Sequence, residues 1–147
     1  MGLIPLIAAL PAKSTVVACL FLVVPLDASQ QKPKGLDLHP VEHQIVRSTN
    51  AQRARYGLQP LAIDNSLIHA ARTHAQWMTR NRSLVHTHLA VAENIAMGQR
   101  TSAEVVKDWM GSPGHRANIL SGSYRRIGVA AYVAVDGTIY WCQQFLP

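Results

Sequence analysis

A chain of 147 residues with a formal charge of +6 has room for one domain and excludes a second of ordinary size. Its hydrophobic fraction of 48% supports a real core, and an aromatic content of 6% makes that core mainly aliphatic. The pI near 9.8 favours anionic surfaces. Yet Arg53/Arg55, Arg80/Arg82 and Arg125/Arg126 come as pairs, so no long basic run marks a specific nucleic-acid site.

The chain opens with an apolar run, Val16 to Leu26, preceded by Lys13 and followed by Ala28. This is the anatomy of a signal peptide over residues 1–28, with an uncleaved anchor as the alternative. As helix the run would rise only about 16 Å, too short to span a bilayer. The mature form is therefore expected to be secreted or periplasmic, without a transmembrane span. Of the two cysteines, Cys19 lies in this segment, so cleavage would leave Cys142 alone. The apolar run continues past Cys19, which argues against lipidation there. Residues 29–40, with two prolines, two lysines and a glycine, read as a linker. The domain is expected over 41–147.

A first helix is predicted from Pro40 to Tyr56, because Val41, Ile45 and Thr49 recur every four residues. Gly57 fits its C′ position. A second is predicted from Ser66 to Arg82, capped by Asp64 or Asn65. Its inward stripe is Leu67, Ala71, His74 and Met78, widened by Ala70, Ala75 and Trp77. Thr101-x-x-Glu104 is a capping-box signal for a third helix, with Val105, Val106 and Trp109 facing inward. Ser112 is expected to cap a short fourth helix, with Pro113 at its first position and His115 and Ile119 on it.

Ala92 to Ala96 reads as a strand. Arg126 to Val135 and Thr138 to Phe145 flank Asp136-Gly137, a two-residue hairpin signal. That turn would set Val133 opposite Tyr140 and Ala131 opposite Cys142, with Tyr132 near Trp141 and Gly128 near Phe145. Both faces of such a ribbon are apolar and need cover on both sides. The expected fold class is α+β: a three-layer α-β-α sandwich, with a small, mainly antiparallel sheet between helices. A protein of this size is expected to act as a monomer.

The chemistry concentrates in His86, in Glu93-Asn94 and in Ser112-Pro113-Gly114-His115-Arg116-Ala117-Asn118-Ile119-Leu120. Two imidazoles and a carboxylate form a common ligand set for a borderline metal. The same groups serve as general acid and base. Arg116 could pair with Glu93 or with an anionic ligand, or lie free on the surface. Asn94 reads as a residue that satisfies backbone groups at a cleft turn. His88, two residues from His86, is a conceivable third ligand or a solvent-exposed side chain. Cys142 reads as a small buried apolar residue.

These words, with Asn50-Ala51-Gln52-Arg53, Trp109, Ile127-Gly128-Val129 and Tyr140-Trp141-Cys142-Gln143, run in order from about residue 43 to the C-terminus. In this the chain resembles the CAP superfamily (cysteine-rich secretory protein, antigen 5, pathogenesis-related 1), in particular its short, cysteine-poor bacterial members. The resemblance implies the same three layers. It also implies a cleft lined by His86, Glu93 and His115; Asn94 and Arg116, their neighbours in sequence, are taken as further candidate cleft residues. It further implies a divalent cation, most often zinc, held by His86 and His115, with Glu93 orienting a histidine or a bound water. The chain departs from larger members, which carry a second glutamate after the third-helix tryptophan; here Met110, Gly111 and Ser112 follow Trp109.

Three functions follow as expectations. The first is a non-catalytic, extracytoplasmic binding module whose cleft takes a divalent metal or small ligand, with envelope polysaccharide or lipid as partner. The second is a metal-dependent hydrolase or protease with Glu93 as base. The third is an envelope protein in which the triad only stabilises the fold.

Overall fold

The computed structural model describes residues 36–147. The expected signal peptide, Cys19 and the first part of the linker lie outside the described residues. Leu36 and Leu38, at the end of the stretch read as linker, pack against the core.

The four-residue recurrence of apolar positions makes helix α1, Pro40–Arg55, which buries Ile45, Val46 and Thr49. Gly57 follows it with φ +70°, the left-handed C′ conformation that glycine adopts without steric cost. A two-residue strand β1, Ala62–Ile63, leads into α2, Asn65–Asn81. The Asp64 carboxylate caps α2 by accepting from the Ser66 and Leu67 amides. Strand β2, Ala92–Met97, then precedes α3, Ser102–Gly111, and the short α4, Pro113–Ile119. Strands β3, Arg126–Val133, and β4, Ile139–Leu146, close the chain.

The sheet order is β1-β3-β4-β2. β1 runs parallel to β3, and the other two pairings are antiparallel. Alternation along the strands sends Ile95, Ala130, Tyr140 and Cys142 to one face, where Ala71, Ala75 and Met78 of α2 cover them. The other face presents Val129, Trp141 and Phe145 to Ile45 of α1 and to Val105 and Trp109 of α3. The architecture is therefore the α-β-α sandwich, with a small mixed sheet between helices.

Gly128 sets the spacing of the α2 layer. A Cβ at this position would lie 2.1–2.4 Å from Leu67 backbone and side-chain atoms, so only glycine lets α2 seat on β3 at this depth.

Four local expectations are corrected. The hairpin register differs by one residue: Val133 pairs with Ile139, Tyr132 with Tyr140, Ala131 with Trp141 and Ala130 with Cys142. Asp136-Gly137 does not form a two-residue turn. The Gly137 amide donates to the Ala134 carbonyl, and Gly137, at φ +84°, is the left-handed residue of a longer loop. Adding one loop residue shifts every cross-strand partner. Trp77 points outward and is 46% exposed, because the edge of the α2 stripe faces the following loop rather than the sheet. Glu104 completes its box one residue early, accepting from the Arg100 amide while Thr101 accepts from the Glu104 amide. Ser112 occupies the N-cap of α4 but makes no side-chain cap bond.

Two buried charges were not foreseen. Glu42 accepts two hydrogen bonds from Arg72 and one from the His39 amide. Arg72 also donates to the Asp37 carbonyl, so this pair ties residues 37–42 to α2. Arg53, 1% exposed, donates to the carbonyls of Gln59, Ile119 and Ser121. It thus fastens α1 to the C-terminal end of α4.

Candidate functional site

Alternation on β2 points Glu93 toward the α2 layer and Asn94 the opposite way. These neighbours therefore serve different networks.

The Glu93 side chain is 3% exposed, and every group hydrogen-bonded to its carboxylate donates. Oε1 accepts from His86 Nδ1 at 2.9 Å and from the Thr87 amide at 2.9 Å. Oε2 accepts from Gln144 Nε2 at 2.9 Å and from the Cys142 thiol at 3.5 Å. His74 Nε2 lies 3.7 Å from the same oxygen. Burial alone would push the carboxyl's acidity down. The bonds from Gln144, Thr87 and His86, with His74 beside them, outweigh this and hold its pKa below the ordinary value. Glu93 is thus a buried, ionised acceptor. Burial, and then Glu93 itself, push the Cys142 thiol well above its usual pKa, so Cys142 is the inert apolar filler the sequence suggested.

This carboxylate fixes His86. A carboxylate can only accept, so the neutral ring carries its proton on Nδ1 and leaves the Nε2 lone pair free. The His86 side chain is 61% exposed. A buried carboxylate behind an imidazole is also the usual outer partner of a metal-ligating histidine. His74 is fixed by a second contact, with Nε2 2.8 Å from the Val85 carbonyl. The 83–91 loop is thereby held to the sheet and to α2 through Val85, His86 and Thr87.

His115, on α4, is half-buried. Burial, and then the field of nearby His86, lower its pKa and favour the neutral ring. His115 and His86, with Glu93 behind the latter, have the donor chemistry of a two-histidine metal site with an outer carboxylate. Among the described residues no three His, Cys, Asp or Glu side chains are grouped to hold an ion. His88 shares a groove with His86 without completing such a set.

Asn94 is fully buried and its amide is committed. It donates to the His115 carbonyl and to Gln143 Oε1, and accepts from Asn118 Nδ2. Gln143 in turn donates to the Thr49 hydroxyl. Asn94 is therefore removed from the ligand-facing set; it fixes α4, and with it His115, to β2 and β4. Arg116 does not reach Glu93. It donates to the Tyr56 hydroxyl at 2.9 Å and sits over that ring, 5.2 Å from its centroid, a surface cation–π pair.

Between α2 and the 83–91 loop lies an open groove of about 370 Å³. Trp77, Val85 and Leu89 form its apolar wall, and His74, His86 and His88 its imidazole side. Sequence reasoning placed His74 as packing and Trp77 as core. The missing signal was the fold of the loop that crosses α2 and turns this helix face into a groove. Gln144 was also missed. It is 0% exposed, and its Oε1 has no partner among the described residues.

The model of the family described as "Cysteine-rich secretory protein family" (CAP) matches residues 46–145. The uncharacterized Bacillus subtilis protein YkwD is 40% identical over 122 residues, covering 71% of this chain and 46% of that protein. An extracellular protein of Bacillus anthracis containing an SCP domain superposes with a TM-score of 0.63 at 24% identity. That match covers 75% of this chain and 44% of the other. NaASP2, solved with Zn2+, superposes with a TM-score of 0.63 at 14% identity, covering 78% of this chain and 83% of the other. At these identities the two structures attest the fold alone. The chain spans less than half the length of YkwD and of the Bacillus anthracis protein.

Proposed function

The chain belongs to the cysteine-rich secretory protein family, and from that premise we propose that it is an extracytoplasmic binding module whose cleft presents His86 Nε2 and His115. The observation that carries this reading is the buried Glu93 carboxylate behind an exposed imidazole, 2.9 Å from His86 Nδ1. That arrangement turns Nε2 outward and, in the neutral ring, places the proton on Nδ1, leaving Nε2 as the nitrogen that can accept a proton or a metal.

His86 and His115 would hold a divalent cation such as zinc, with Glu93 as the outer partner that orients His86. When bound, such an ion supplies a Lewis acid and a coordination position for a ligand. Binding rather than turnover is supported by the state of Glu93. Both its oxygens are already engaged and its acidity is raised, so it is a poor proton acceptor for a hydrolase. Two protein ligands also fall short of the three usual at catalytic zinc. Export is supported by the apolar run at Val16–Leu26 and by the extracellular Bacillus anthracis relative. No helix of the described residues is long and apolar enough to cross a membrane. An envelope glycan or lipid is the partner class that suits an exported, basic module.

Calorimetric titration of zinc into the protein and into its His86→Ala/His115→Ala variant tests the reading. Saturable heat in the parent, lost in the variant, is expected. Absence of heat at millimolar zinc, or equal heat in both, rejects the metal site.

A further inference from the structure

Resting on the reading of this face as a ligand site, we infer that the groove beside His86 receives an uncharged pyranose ring of a glycan, stacked on Trp77. The cavity of about 370 Å³ lies within the span of small-ligand sites, roughly 300–1,000 Å³. Trp109 and Trp141 are each 1% exposed, whereas Trp77 is 46% exposed. A large aromatic left open to water on a groove wall is the informative exception to burial. The His74 ring lies parallel to it, within 4° and 6.2 Å between centroids, so the two rings share one orientation along that wall.

The rest of the lining selects the guest. Val85 and Leu89 continue the apolar side, while Thr73, Thr87, His86 and His88 bring hydrogen-bonding groups. A pyranose offers the complement: a C–H face for the indole and hydroxyls at its edge that both donate and accept. Among the described residues no Lys, Arg, Asp or Glu lines the groove, although the chain carries 14 Lys and Arg. The groove therefore selects a neutral sugar, and the net charge acts elsewhere on the surface.

Trp77 is also the reporter, because the other two tryptophans are buried. The protein is titrated with neutral oligomers of N-acetylglucosamine, glucose, mannose and galactose while tryptophan emission is followed. Oligogalacturonate, anionic phosphatidylglycerol vesicles and a single-stranded oligonucleotide are run alongside. At least one neutral oligomer should change the emission saturably at millimolar concentration or below, with an affinity insensitive to salt. Trp77→Ala should weaken binding, measured by calorimetry, about ten-fold or more, and Trp77→Phe should restore part of it. Zinc heat should persist in Trp77→Ala. Silence with every neutral oligomer, binding that survives Trp77→Ala, or binding confined to the anionic probes and abolished by salt would overturn the inference. If zinc binds while the sugars are silent, this inference fails alone; if zinc is silent too, the proposed function fails with it.

Discussion

Replacing Glu93 with glutamine should destabilise the domain by about 2 kcal/mol at neutral pH, although the two side chains have nearly the same shape. All four hydrogen-bond partners of the Glu93 carboxylate are donors: His86, Thr87, Gln144 and Cys142. A glutamine nitrogen must face one pair of them. The least costly answer keeps its oxygen on His86 and Thr87, turns its nitrogen toward Gln144, and flips Gln144 to accept. Two bonds then fall from charge-assisted to neutral strength, about 1 kcal/mol each. The flip also leaves the Gln144 amino group in the place where its oxygen now lacks a partner. Glu93→Ala removes every acceptor and strands the fully buried Gln144 donor, for about 4 kcal/mol. For a domain of this size the glutamine variant should melt about 8 °C below the parent, and the alanine variant about 15 °C below.

Urea and thermal unfolding at pH 7, followed by circular dichroism, read both values. The pH dependence adds a sign. Because folding lowers the Glu93 pKa, its contribution is full above the unfolded value and is lost as pH falls through the folded value. The glutamine variant should lack that part of the acid limb. A glutamine variant within about 0.5 kcal/mol of the parent, with an unchanged acid limb, would refute the reasoning, since glutamine substitutes well only for a neutral carboxyl.

Gly128→Ala should cost about 3 kcal/mol or more, or prevent folding, because its methyl would overlap the Leu67 backbone; soluble yield and melting temperature check this. Arg53→Lys should lose about 2 kcal/mol, since one ammonium cannot reach the Gln59, Ile119 and Ser121 carbonyls together. A denaturant midpoint close to that of the parent would contradict it. Asp64→Asn should cost less than about 1 kcal/mol at pH 7, because asparagine also caps helices and the Arg126 pair is exposed. The Asp64 pKa is lowered, chiefly by the Leu67 amide. Its contribution is therefore full above the unfolded value and disappears as pH falls through the folded one, so the variant should show a shallower acid limb.

Much of this architecture is legible in the sequence because local signals and packing agree. The spacing of Ile45 and Thr49, the Asp64 cap, Gly57 after α1 and the order of the family words all lead to the same sandwich. The pairing of His86 with Glu93 is legible for the same reason: the resemblance places both in one cleft, and a seven-residue separation lets a loop deliver one to the other. The failures have physical causes. Asp136-Gly137 suits two loop lengths, and one residue changes every cross-strand partner. Helical periodicity assigns Trp77 to an inward stripe but cannot show that a loop, not the sheet, lies opposite. The Tyr56 partner of Arg116 is 60 residues away, and nothing local announces it. Glu42 and Arg53 look like surface charges until the carbonyls and the guanidinium that surround them are assembled.

The central claim is that Glu93 holds His86 with its proton on Nδ1 and its Nε2 lone pair facing outward. Nitrogen-15 NMR of the imidazoles reads this directly. The account predicts that neutral His86 populates a single Nδ1–H tautomer, and that zinc shifts its Nε2 resonance together with that of His115. A His86 ring carrying its proton on Nε2, or averaging freely between tautomers, would contradict it.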